Sequence, residues 1–212
     1  MKFRRLAAFG LALLPTFALC DAPTKLSKKT YDADQSVILL NVNWGRAWGC
    51  AGMDNAQLLA LNFMKLPIGT GPTLDFSAPS KLRAKREFVP LAVVMPPGEY
   101  ALAGFEVLVA RSKSDTGRIR ATPMDLLRKE KQQGGSFTVE SGEVVYIGHF
   151  GLDCVKEPIP WRYYVQDRAE FERYVAAFRN TFPFMIDKPV QFRLFETTEF
   201  GTHFALDNPV VR

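Results

Sequence analysis

From residue 36 onward the chain is a series of short apolar runs broken by glycine and proline, and only one stretch carries a helical period. "SVILLNVNW" (36–44) is rich in β-branched and large apolar residues, which predicts a buried strand. "WGRAWGCAGMDN" is a Gly-rich turn. "AQLLALNFMKL" (56–66) reads as a partner strand with Leu59, Leu61 and Phe63, or the opposite set, facing inward; a helix stays open, because a short apolar run fits both periods. "EFVPLAVVM" (87–95) passes through the turn "PPGE" into "YALAGFEVLVA" (100–110). There Ala101, Ala103, Phe105, Val107 and Val109 fall on one face of a period-two strand.

"SFTVESGEVVYIGHF" divides at Ser141–Gly142 into two strands with a hairpin signature. In the second run Val144, Tyr146, Gly148 and Phe150 share one face, and Val145, Ile147 and His149 the other. Both faces are largely apolar, as in a central strand covered on two sides. Between these β blocks, 111–135 is a basic insertion in which Thr122, Pro123 and Asp125 start one short helix. "IPWRYYVQ" (159–166) is strand-like. "DRAEFERYVAAFRNTF" then draws a single apolar stripe from Phe171, Tyr174, Val175, Phe178 and Phe182, with Asp167 and Glu170 in a capping-box pattern and Pro183 as the stop. "VQFRLFE" (190–196) alternates like a half-exposed strand.

The fold class expected is mainly β: an antiparallel β-sandwich or open barrel with one packed C-terminal amphipathic helix. After a polar lead-in (21–35), residues 36–212 form one β-rich domain that ends in a strand–helix–strand unit (159–196).

The first twenty residues stand outside this pattern. "MKFRR" is cationic, "LAAFGLALLPTFAL" is apolar, and small residues follow at Ala18 and Cys20, so 1–20 read as an export signal peptide of bacterial type. Cleavage after Cys20 is one outcome. "FALC" also resembles the lipobox of bacterial lipoproteins, which makes Cys20 a candidate lipidation position, although Phe17 and Leu19 depart from that motif. No later run is long enough for a membrane span. Localisation is therefore expected to be exported, periplasmic or membrane-tethered through Cys20.

Export changes the charge balance. The whole chain has 27 Lys and Arg against 22 Asp and Glu; Lys2, Arg4 and Arg5 leave with the signal, so 24 basic residues remain. So small an excess gives no support to nucleic-acid binding. Eleven of those basic residues fall in "KLRAKR" (Lys81, Arg83, Lys85, Arg86) and in 111–131. If those loops adjoin, they form a patch for membrane phosphates or an acidic envelope partner.

The pairing of "PPGEYALAGF" with "SFTVESGEVVYIGHFG", over about residues 87–152, resembles exported bacterial proteins of immunoglobulin- or prealbumin-like sandwich fold. There a "pGxY" strand is followed by F-x-V-x-x-G-x-x-x-Y-[IL]-G. The resemblance implies a fold and an envelope location. It supplies no catalytic residues, since those proteins share no established activity.

Reactive constellations are few. His149, Asp153 and Cys154 cluster in six positions, yet in an oxidising compartment Cys154 is expected to pair with Cys50, because each lies just beyond a strand end. His149, His203 and Asp153 show no metal-ligand spacing with the cysteines. Neither a G-x-S-x-G elbow, a P-loop nor a G-x-G-x-x-G occurs, so no catalytic residue, metal or cofactor is assigned. Trp44 and Trp48 flank glycines, either as caps on the core or as a platform for sugars or a partner. The expectation is a non-enzymatic envelope protein acting as a binding or structural module. The alternatives are an envelope-acting hydrolase and a surface carbohydrate- or ligand-binding module.

Overall fold

The computed structural model describes residues 24–80, 85, 87–127, 134–163, 165–193 and 195, with the backbone of 210–211. It is a sandwich of two sheets and not a closed barrel. The seven-stranded sheet contains β1 (Thr24–Lys25), β2 (Ser36–Asn43), β6 (Phe88–Met95), β10 (Val144–Asp153), β11 (Ile159–Tyr163), β12 (Val190–Phe192) and β13 (Val210–Val211). The six-stranded sheet contains β3 (Ala47–Trp48), β4 (Asn55–Lys65), β5 (Thr73–Ser77), β7 (Gly98–Ala110), β8 (Thr116–Ala121) and β9 (Ser136–Val139). The run at 56–66 is thus a strand, and among the described residues the alternating run at 190–196 contributes the strand Val190–Phe192.

The core lies between the sheets and centres on Phe63 of β4. Its ring meets Phe76 and Phe137 from its own sheet, at 6.1 and 5.7 Å. From the other side it meets Phe150 of β10 at 5.7 Å and Phe195 at 5.9 Å. Edge-to-face rings at these distances add to the burial of apolar area itself.

The hairpin signature at Ser141–Gly142 and the turn at "PPGE" are both crossings between sheets. β9 pairs with β7, whereas β10 pairs with β2, β12 and β11, so "SFTVE" and "EVVYIGHF" never pair with each other. Gly142, at φ 74°, makes the turn. Arg193 latches it, its guanidinium donating to both Glu143 carboxylate oxygens at 2.9 and 3.0 Å and to Thr138 O at 2.7 Å. "PPGE" likewise carries the chain from β6 in one sheet to β7 in the other. Turn chemistry alone cannot separate the two outcomes. β10 is apolar on both faces and needs covered neighbours on both edges, and it finds them in β2 and β12, both parallel to it. Every other pairing described is antiparallel.

Three register shifts exchange the faces predicted from a strict period of two. In β10 the extra residue falls at Ile147–Gly148, where Gly148 holds φ 121°. Tyr146 and His149 therefore share the outer face, while Phe150 turns to the core. In β4 the shift at Leu58–Ala60 turns Leu58 inward in place of Leu59, with Leu61 and Phe63 inside as expected. In β7 the extra residue is Ala103, so Leu102 sits opposite Phe63 and Tyr100 stacks on Phe137 at 5.6 Å, in place of Ala101 and Ala103.

The helix α1 (Pro123–Leu126) starts at Thr122, whose N–H and hydroxyl both donate to Asp125. The helix α2 (Arg168–Thr181) is capped by Asp167, which accepts from the Glu170 N–H at 2.7 Å. Phe171, Val175 and Phe178 bury the predicted stripe. It packs on the outer face of the seven-stranded sheet: the Phe171 ring lies 5.7 Å from Tyr146 and 5.5 Å from Phe192.

Cys50 and Cys154 form a disulfide with Cα atoms 4.5 Å apart. Cys50 lies in the loop entering the six-stranded sheet and Cys154 just beyond β10, so the bond joins the two layers at one end.

Candidate functional site

The outer face of the seven-stranded sheet follows from its register. Leu39 and Asn41 of β2 stand opposite Tyr146 and His149, while Phe88 and Pro90 of β6 stand opposite Asn43 and Asn41. On the other side of β10, His149 pairs with Tyr163 and Gly151 with Trp161. The bulge in β10 is what puts His149 on this face.

α2 covers only part of it. Where the helix lies over the sheet, His149 is enclosed by Tyr146, Tyr174 and Phe88, with ring centroids 5.5, 5.7 and 5.0 Å away. Asn41 Nδ2 donates to Nε2 at 2.5 Å, which leaves the ring proton on Nδ1, donated to the Tyr146 hydroxyl. Loss of water lowers the His149 pKa from 6.5 to about 4, so the imidazole is neutral at ordinary pH. The same burial raises the Tyr174 phenol above its usual value. Both ring nitrogens are engaged, so this half-buried histidine is a structural group.

Beside it, between α2 and β6, runs a mostly apolar groove of about 320 Å³ lined by Leu39, Phe88, Pro90, Phe178 and Phe182, with Asn41 and Lys25 as polar members. Asn41 is 7% exposed, and its Oδ1 has no hydrogen bond among the described residues.

Beyond the reach of α2 the same face opens into a cleft of about 670 Å³ bordered by Asp153, Val155, Lys156, Glu157, Trp161 and Tyr163. Phe88, 41% exposed, links groove and cleft, its ring 6.3 Å from Tyr163. The cleft abuts the disulfide: Ala51 N–H donates to Cys154 O at 3.0 Å, and Val155 N–H to Asp153 Oδ1 at 2.9 Å. A short, cross-linked turn of this kind presents its side chains with little left to order on binding.

The residues singled out in the sequence scatter. Trp44 is buried at 2% exposure, with its carbonyl accepting from Gln57 Nε2 at 2.7 Å, so it belongs to the core. Trp48 is 64% exposed under the Arg46 guanidinium, 5.2 Å from its ring centre, so the two tryptophans make no common platform. Lys85 is exposed. Cys20, Lys81, Arg83, Arg86 and His203 lie outside the described residues. The strand before 81–86, β5, and the basic strand β8 occupy opposite edges of the six-stranded sheet. Among the described residues no group of three or more His, Cys, Asp or Glu is close enough to hold a metal ion.

Trp161 and Tyr163 are not singled out by any motif, although two aromatic residues two apart on a strand share a face. The sequence does not say which face, nor that the described residues leave both rings half-buried at the border of a cleft. Comparison of the chain with protein-family models, curated proteins and solved structures gives no match.

Proposed function

We propose that this protein is a non-enzymatic module of the bacterial envelope, exported by its leader and either released by cleavage or tethered through Cys20, that binds a partner on the outer face of its seven-stranded sheet. The observation that carries the reading is the open aromatic cleft at Trp161 and Tyr163, beside a helix that covers the rest of that face. Export is supported by the leader in the sequence and by the Cys50–Cys154 disulfide, a bond that persists in oxidising compartments. A binding role is favoured over hydrolysis because His149, the described histidine, has both nitrogens committed to Tyr146 and Asn41.

The test is fractionation of cells that express the full chain. The processed protein is expected in the envelope with Cys50 and Cys154 oxidised, and Trp161→Ala should reduce its retention there without lowering its thermal midpoint. A protein that stays in the cytoplasm with its leader uncut, or retention indifferent to the substitution, would sink the reading.

A further inference from the structure

We propose that the cleft beyond α2 is a saccharide-binding site, which takes a neutral glycan chain against Trp161 and Tyr163. This rests on the binding role just described and names the class of partner. Trp161 and Tyr163 stand two residues apart on β11 and point to the same side, roughly 6.6 Å apart along the strand. The axial C–H groups of a pyranose make one face of the sugar apolar, and an aromatic ring removes that face from water. Two rings in line offer this surface to successive units of a chain.

Gly151, which pairs with Trp161, is buried against the Tyr163 ring: a Cβ there would stand 3.4 Å from Tyr163 Cε2 and 3.6 Å from Asn43 Cβ, so a bulky side chain at this position would displace the ring. The Tyr163 ring is held in place: its hydroxyl donates to Leu152 O at 3.3 Å, and Phe88 packs against it at an interplanar angle of 72°. Sugars also present hydroxyls round their rim, which need acceptors and donors at the border of the stacking surface. Asp153 and Glu157 supply carboxylates there and Lys156 an ammonium.

Charge argues against other occupants. Two carboxylates against one lysine leave the border net negative, which disfavours nucleic acid and other polyanions. An aliphatic ligand would find more enclosure in the groove under α2 than in this half-open cleft. A protein strand could add to the edge of β11, but such pairing uses backbone groups and would not depend on the Trp161 ring.

The experiment titrates the exported, processed protein with chitotriose and with cellotriose, followed by tryptophan fluorescence and calorimetry. At least one saccharide is expected to bind saturably with little dependence on salt. Trp161→Ala should weaken it by about tenfold or more, Trp161→Phe should retain most of the affinity, and Tyr163→Ala should weaken it as well while circular dichroism stays unchanged. Trp48→Ala, which removes an exposed ring elsewhere, should have no effect. Absence of saturable binding to either saccharide would overturn the proposal, as would binding indifferent to both Trp161→Ala and Tyr163→Ala. If no saccharide binds yet Trp161→Ala releases the protein from the envelope, the cleft is a protein interface: the binding role stands and the saccharide assignment falls.

Discussion

On the outside of the six-stranded sheet, Glu106 of β7 is paired with Arg118 and Arg120 of β8, and Asn62 donates to Asp75 at 2.6 Å. On the outside of the seven-stranded sheet the corresponding layer holds Leu39, Tyr146, Phe192 and Phe88, and a helix lies across half of it. Both sheets give the same kind of inner face to one core, so the difference is confined to the side turned away from it. A face of paired charges is satisfied by water and has no need of cover. A face of rings must be buried, by the chain itself or by something else. α2 buries the part around Tyr146 and leaves the part around Trp161, and that remainder is where a partner has something to gain.

The largest effect is expected where the two layers are tied together. Replacing both Cys50 and Cys154 by serine removes a cross-link that closes a loop of 104 residues. In the chain-entropy model such a loop is worth roughly 4–5 kcal/mol, so denaturant unfolding under non-reducing conditions should show a loss of that order. An unchanged midpoint would mean that the sandwich holds its two sheets together without the bond.

The contrast between the outer faces is tested directly by a pair of truncations. Phe171→Ala, at a side chain with 0% exposure packed on Tyr146 and Phe192, should lose about 3–5 kcal/mol. Arg118→Ala, at an ion pair on the solvated sheet, should lose about 1 kcal/mol or less. Similar losses from the two would erase the distinction between a covered and a solvated face.

Acid should act on the covered face first. His149 takes its proton near pH 4 in the fold and near 6.5 once unfolded, so between these values the unfolded chain binds more protons. Its contribution to stability is complete above pH 6.5 and is lost as pH falls towards 4, by about 3 kcal/mol in all. In His149→Gln the fall in stability over that window should be shallower than in the parent. Equal slopes would show that the imidazole is as wet in the fold as in the open chain.

Much of this was legible in the chain. The cap at Asp167, the stripe from Phe171 to Phe178 and the disulfide partners follow from local chemistry, because each depends on spacing or on residue type alone. The strands at 36–44, 87–95 and 100–110 are legible for the same reason. The faces were not. A period of two assigns sides only until one residue is inserted, and the shifts at Ile147–Gly148, Leu58–Ala60 and Ala103 each exchange them. That exchange carried Phe150 away from Tyr146 and brought His149 into the company of Tyr146 and Asn41. Trp44 was ambiguous for another reason: whether a loop tryptophan caps the core or faces water depends on neighbours such as Gln57, thirteen positions on.

The amino-acid order by itself determined the β-rich class, the helix with its ends and the cysteine pair, since these rest on periodicity, turn chemistry and composition within short windows. Only the tertiary structure decided that Gly142 crosses between layers and does not close a hairpin, that β10 runs parallel to both β2 and β12, and that Trp161 and Tyr163 border a cleft on the same face as α2. Those outcomes depend on which surfaces from distant parts of the chain are left to cover one another, and a local pattern does not contain that information.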